Sequence, residues 1–365
     1  MLGSIRVSGW RTKVPDWDER PPEDRDVYGS AWVTEADQVD GRRTAEVVDE
    51  VVEEQTKPLG LWADTWRRLR RNKIALVGLG IIIVFLCVGS IETVFFQAKW
   101  HVRASADTKA NPNLPGYLAP YDPNEVNYAL SPQGIGSPPS WSHPFGADFL
   151  GRDVLSRTLI ATRIAMLVGV IAVAIALTLG LLLGPVSGYY GGAVDSVIMR
   201  AADIFFAFPY ILFVLLMMSV LGQGFQNVFI AIGVLGWATF ARIVRGQILS
   251  VKSMEYVEAA RAQGAGDLRI IFRHVLPNSM APVYVAVAMA IGGAIATEAA
   301  LSYLGIGVQP PNSSWGLMIA DSVEYLASGN WWWLLFPSLA LVATVFGFIS
   351  FGNGLRDATD PKLKE

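Results

Sequence analysis

The side chains that most often carry catalysis or bind metals are few in this chain and lie far apart. Its single cysteine, Cys87, lies within an apolar run and cannot form an intrachain disulfide. The three histidines, His101, His143 and His274, lack histidine or cysteine neighbours at the spacing of a metal site. The sequence has no G-x-x-x-x-G-K-[ST] phosphate loop, no G-x-S-x-G and no H-E-x-x-H. It therefore predicts no catalytic residue, cofactor site or metal site.

Three of the charged residues inside apolar runs, Glu298, Arg200 and Asp203, are the next candidates for function. Glu298 is the single charge in the run Val283–Gly305, and an ionisable side chain inside a membrane is costly and often functional. The alternative, which we favour, is an interhelical hydrogen bond or a neutralised carboxyl. Arg200 and Asp203 stand three residues apart, a spacing at which they can pair on one helix. We interpret them as an anchor near the cytoplasmic end of that helix, with lining of a transport pathway as the less favoured alternative.

The polar segment 255–278, between two apolar runs, has the most informative residue pattern. It begins with good helix formers, which Gly264 and Gly266 interrupt, and Asp267 is a candidate N-cap for a second helix. Apolar or small residues recur at three- and four-residue intervals: Val257, Ala260, Gly264, Leu268, Ile271 and Val275. The pattern predicts two short helices joined at a bend, with small side chains that let a helix settle into a groove on a partner.

Six apolar runs are long enough to hold these residues in a bilayer. The chain is 52% hydrophobic and 17% charged, against about 25% charged in soluble domains. An amphipathic lead-in from Leu61 precedes Ile74–Phe96, and roughly 20 helical residues span a hydrocarbon core. The other runs are Ile164–Ser187, Ser196–Leu221, Val228–Ile248, Val283–Gly305 and Trp333–Phe351. The sequence predicts an all-α polytopic membrane protein with six transmembrane helices.

The distribution of basic residues predicts the orientation of these helices. Five basic residues lie between Arg67 and Lys73, immediately before the first run, and such clusters favour the cytoplasmic side. The short segments Gly222–Asn227 and Ile306–Trp332 contain no Lys or Arg, which is typical of outer loops. Both termini are therefore predicted to be cytoplasmic.

The chain divides by composition into five parts. Residues 1–60 carry 14 acidic and 8 basic residues, and we expect a disordered acidic cytoplasmic extension because little apolar surface could be buried there. The remaining parts are a lead-in with the first transmembrane helix (61–97), an extracytoplasmic loop (98–163), a core with five transmembrane helices and the polar loop (164–355), and a cytoplasmic tail (356–365).

The polar loop resembles the EAA loop of importer permeases in the ATP-binding-cassette (ABC) class. The matching residues are Glu258, Ala259, Ala260, Gly264, Leu276 and Pro277 at the family's spacing, with His274 at a position that is usually aliphatic. Three further stretches, His143–Arg157, Arg68–Leu79 and Glu298–Gly307, are similar to the C-type permease of oligopeptide and dipeptide importers. The resemblance covers roughly residues 61–365.

This resemblance implies an ABC importer permease fold in the cell membrane and a set of partners. The six loop residues would dock on a separate ATPase subunit, so ATP and Mg would be bound by two partner ATPases and the chain itself would be no enzyme. A homologous second permease and an extracytoplasmic solute-binding protein complete the implied complex within the lipid bilayer. Di- or oligopeptides are the implied substrates, and nickel, opines or oligosaccharides are the alternatives. The sequence lacks the stripe of basic residues that would indicate nucleic-acid binding.

Two other classes remain as alternatives. A secondary transporter would predict two related halves or several paired intramembrane charges. An integral membrane enzyme would need a catalytic cluster, and the sequence contains none of the catalytic motifs named above.

Overall fold

The computed structural model describes residues 61–105 and 118–359, so the predicted extension 1–60 and the end of the predicted tail lie outside the described residues. The first helices are α1 (Leu61–Leu69), α2 (Lys73–Ser105), α3 (Val154–Tyr190), α4 (Gly192–Ala207), α5 (Tyr210–Leu221) and α6 (Phe225–Val251). They are followed by α7 (Glu255–Ala262), α8 (Asp267–Arg269), a π-helical stretch (Ile270–Val275) and α9 (Leu276–Asn278). The last are α10 (Ala281–Tyr303), α11 (Trp315–Leu326) and α12 (Trp331–Thr359).

The helices confirm the predicted fold class. Five of them, α2, α3, α6, α10 and α12, are long and apolar enough to cross a membrane, and α4 with α5 would make a sixth span as a bent pair. No β-strand occurs within 61–105 or 118–359.

The predicted third run, Ser196–Leu221, is not one straight helix. It breaks between α4 and α5, whose axes differ by 94°. Phe208 is extended at the break (φ −96°, ψ 143°) and precedes Pro209. A proline ring disfavours the helical conformation of the preceding residue, which explains why an apolar run of helical length bends here.

Helices also enter the predicted outer segment 98–163 from both sides. Helix α2 continues to Ser105, and α3 begins at Val154, ten residues before the predicted start at Ile164. Asp153 caps α3, since its Oδ2 accepts hydrogen bonds from the Ser156 backbone N–H and hydroxyl, both at 2.7 Å. A capped helix can begin in charged sequence, whereas hydropathy places the start only where the charges end.

Small residues bring α3 and α6 into close contact. Gly180 and Gly184 of α3 follow the small-xxx-small pattern of membrane helix pairs, and a Cβ on Gly184 would lie 2.9 Å from the Ala241 carbonyl oxygen of α6. The main apolar core lies along this pair and extends to α5, α10 and the polar loop.

The hydropathy pattern did not predict helix α11, because its twelve residues are too few to span a bilayer. Trp315 at its start is fully buried, and its indole N–H donates to the Thr158 carbonyl oxygen of α3 at 3.0 Å. The segment predicted as an outer loop thus contributes a helix to a second core with α2, α3, α10 and α12.

Candidate coupling site

The polar loop forms two helical segments joined at a bend, as its sequence predicts. Gly264 follows α7 with φ +83°. The Gly264 N–H donates to the Arg261 carbonyl, and the Ala265 N–H donates to the Ala260 carbonyl. This Schellman arrangement satisfies carbonyls at the end of α7, and it needs the left-handed backbone that glycine adopts without a Cβ penalty.

The six predicted docking residues divide into two groups. Glu258, Ala259, Gly264 and Pro277 are exposed. Ala260 is buried together with Val257, and Leu276 packs partly buried against the main core. The exposed group is accessible to a partner, while the inward group holds the loop against the membrane helices.

Two exposed apolar side chains beside the predicted residues were missed. Leu268 is 67% exposed and Phe272 is 54% exposed, although the apolar periodicity places Leu268 on the inward face. The π-helical stretch Ile270–Val275 begins directly after this turn, and a π-turn changes the helical period that the pattern assumes. Exposed apolar residues rimmed by charges are typical of a protein-binding surface.

Asp267 is not the N-cap of the second segment, which corrects the sequence prediction. Gly266 occupies that position, and Asp267 is the first helical residue. The Asp267 Oδ1 instead accepts a hydrogen bond from the Tyr189 hydroxyl at 2.9 Å. A bond to the end of α3 could not be read from local spacing, because the two residues are 78 positions apart.

Two further polar contacts tie the end of α3 and the start of α4 to the region of the loop. The Lys252 ammonium donates to the Gly188 carbonyl at 2.9 Å. Arg245 makes a two-point contact with Asp195, with Nε to Oδ1 at 2.5 Å and Nη2 to Oδ2 at 2.6 Å. Arg245 lies in α6 and Lys252 directly follows it, so these contacts join the α3–α4 junction to the end of α6 that precedes the loop.

Replacing Tyr189 by phenylalanine is expected to loosen the start of the second loop segment. The change removes one hydrogen bond to Asp267, which contributes about 0.5–1.5 kcal/mol, so backbone amides of residues 264–270 should exchange hydrogen several-fold faster in mass spectrometry. Tyr190→Phe is the matched control, since no bond from the Tyr190 hydroxyl to the loop is found in the described structure. Equal exchange in the two variants would contradict the link.

Glu298 is enclosed and makes hydrogen bonds between two helices. It is 1% exposed, and its Oε1 accepts from the Ser302 and Ser314 hydroxyls, both at 2.7 Å. Ser314 is also the N-cap of α11. Glu298 thus ties α10 to the beginning of α11, which is the interhelical hydrogen bond that we favoured from the sequence.

Asp203 pairs with a residue of another helix, so the predicted pairing with Arg200 is wrong. The Arg242 Nη2 of α6 lies 2.5 Å from the Asp203 Oδ1. The Arg242 guanidinium also lies 4.2 Å from the centre of the Phe206 ring. The three-residue spacing along α4 would permit a pair with Arg200. In the structure, however, α6 packs close enough for its Arg242 to bind Asp203 instead.

The segment His143–Arg157 is a structural cluster at the start of α3. His143 Nδ1 lies 2.9 Å from Asp153 Oδ1. Asp148 pairs with Arg152 at 2.7 Å and lies 3.6 Å from Arg157. These contacts order an irregular segment, which hydropathy alone predicts to be a loop. Among the described residues, no group of His, Cys, Asp and Glu could hold a metal ion.

Comparisons with known proteins match two stretches of the chain to described families. Residues 176–365 match the family described as the inner-membrane component of binding-protein-dependent transport systems. Residues 60–97 match the N-terminal transmembrane domain of oligopeptide transport permease C.

Three curated relatives cover most of the chain. The dipeptide transport system permease protein DppC of Bacillus subtilis is 37% identical over 95% of this chain and 98% of its own length. The oligopeptide transport system permease protein OppC of the same organism is 40% identical over 85% and 92%. The glutathione transport system permease protein GsiD of Pectobacterium atrosepticum is 39% identical over 83% and 92%.

Proposed function

Because the chain belongs to the family of inner-membrane components of binding-protein-dependent transport systems, we propose that it is one permease subunit of an ATP-driven importer of di- or oligopeptides. It would form the translocation pathway with a homologous second permease. Two separate ATPase subunits would bind ATP and Mg, and an extracytoplasmic solute-binding protein would deliver the substrate.

The observation that carries this proposal is the form of the polar loop. The exposed Glu258, Ala259 and Gly264 share the loop with the exposed apolar residues Leu268 and Phe272. An apolar patch on a loop between two spans supports docking of a partner at one end of the bundle. The peptide-transport names of the relatives support the substrate class.

The contacts of the loop suggest how ATPase closure would act on the membrane helices. Movement of the docked loop would reach α3 directly through the Tyr189–Asp267 hydrogen bond. It would reach α4 only by way of α6, whose Arg245 pairs with Asp195. The helices would then switch between outward-open and inward-open states. Ligands can shift such an equilibrium only by binding one state more tightly, so the ATP-bound and ATP-free ATPases would have to favour different states.

Co-purification tests this function most directly. The chain would be tagged at its C-terminus, extracted in mild detergent from its own host, and analysed by mass spectrometry. We expect an ATPase, a second permease and a binding protein to be recovered, and ATP-dependent uptake of a labelled dipeptide after reconstitution. Recovery of folded chain without any ATPase would overturn the proposal and favour a secondary transporter. Uptake of another substrate alone would overturn the peptide assignment.

A further inference from the structure

The ion pair between Asp203 and Arg242 is unusual because both of its side chains reach the surface of the chain. The Asp203 side chain is 59% exposed and the Arg242 side chain is 46% exposed. By contrast, Glu298 is enclosed by its hydrogen-bond partners. The pair is therefore accessible to whatever surrounds this face of α4 and α6.

The position of Arg242 along α6 argues that the pair lies at the depth of the hydrocarbon if α6 spans the membrane. Helix α6 has 27 residues and is about 40 Å long, since each residue rises about 1.5 Å. Arg242 lies about 13 Å from its nearer end, whereas a helix of this length exceeds a hydrocarbon core of about 30 Å by only about 10 Å in total. A charged pair at this depth is costly to expose to lipid.

The break between α4 and α5 follows Asp203 closely along the chain, with Phe208 five residues beyond it. Phe206, which contacts Arg242, is 47% exposed, and Phe208 at the break is 52% exposed. The end of a helix leaves backbone carbonyl groups without intrahelical partners. At membrane depth, irregular backbone is tolerated where protein covers it or where it lines a water-filled cavity. The exposed ion pair and the nearby break in the helix thus both argue against lipid contact.

We propose that this face, formed by Asp203, Phe206, Phe208 and Arg242, lines a water-filled translocation pathway opposite a second permease subunit. A water-filled pathway fits better than a dry subunit interface. Complete removal of an ion pair from water has a desolvation free energy that often exceeds the Coulombic attraction between the two charges. By comparison, Val84 of α2 is 58% exposed and Val342 of α12 is 63% exposed, both within uncharged stretches of sequence. Those surfaces face lipid in this arrangement.

This inference rests on the proposed function and can be tested by cysteine labelling. Cys87→Ser gives a background without cysteine, since the chain has one. Phe206→Cys and Phe208→Cys would be added singly, with Val84→Cys and Val342→Cys as controls of similar exposure. The probe is a charged methanethiosulfonate reagent applied to the purified complex in lipid nanodiscs. We expect the two pathway cysteines to react at least about tenfold faster than the controls, because a charged reagent enters hydrocarbon poorly.

The outcomes separate this inference from the proposed function. Only variants that still co-purify with the ATPase would be compared, so a loss of folding cannot mimic protection. Reaction of Phe208→Cys at the rate of Val84→Cys, in a complex that retains its ATPase and second permease, would overturn the pathway assignment while the function stands. Absence of the second permease from the wild-type complex would instead overturn the proposed function. Labelling that changes on vanadate trapping of the ATPase would support the pathway further.

Discussion

Replacing Gly264 by alanine is expected to lower transport about 5- to 30-fold without loss of the folded chain. The residue has φ +83°, and an L-residue in this left-handed region costs roughly 1–2 kcal/mol. That cost falls on the bend that presents the proposed docking surface, so the ratio of the competent loop conformation to all others should fall about 5- to 30-fold. The initial rate of ATP-dependent peptide uptake and the recovery of the ATPase with the tagged chain measure the effect.

Gly266→Ala is a matched control in the same turn. Gly266 has φ −70°, and neither glycine has a neighbouring atom within 4 Å of an added Cβ. Steric hindrance is therefore equal in the two variants, and only the backbone conformation distinguishes them. Gly266→Ala should transport like wild type. Equal loss in both variants would show that the turn tolerates no side chain for a reason other than its left-handed residue.

Glu298→Ala is expected to destabilise the packing of α11 by about 2–5 kcal/mol. It removes the acceptor of two buried hydroxyls, each costing about 1–3 kcal/mol when left unsatisfied, and leaves a cavity. Glu298→Gln keeps one oxygen in the position that accepts from Ser302 and Ser314, so it should preserve both stability and transport. Thermal unfolding of the detergent-solubilised protein and peptide uptake in vesicles would be compared across the two variants.

The glutamine variant decides between the two interpretations of Glu298. Near-normal transport with glutamine means that the residue serves as a hydrogen-bond acceptor between α10 and α11. A stable glutamine variant that no longer transports would show that the ionisable carboxyl itself is required, and the interpretation as a pathway residue would then replace the structural one.

Features set by local sequence were predicted well. Apolar runs of about 20 residues fix the membrane helices because each must satisfy its own backbone hydrogen bonds in lipid. The bend at Gly264 follows from glycine's access to positive φ. The EAA pattern of the polar loop led to the family that the comparisons show. The orientation of the termini and the docking of Glu258 on an ATPase stay predictions.

Features that depend on a distant partner were missed or assigned wrongly. Local spacing paired Asp203 with Arg200, but α6 brings Arg242 to the carboxylate. Asp267 was expected to cap its own helix, and it binds Tyr189 instead. In both cases the local interaction was feasible, and a residue many positions away offered a better donor.

The sequence by itself determined the class of protein, the number of apolar runs and the loop that carries the family pattern, because hydropathy and backbone preference act within a few helical turns. Tertiary structure alone decided that Glu298 is enclosed by hydroxyls from two elements while Asp203 and Arg242 remain exposed. Both sites carry ionisable residues within apolar runs, and the sequence cannot rank them. Their difference arises from which helices pack over each charge, and hence from whether neighbouring protein or the surroundings solvate it.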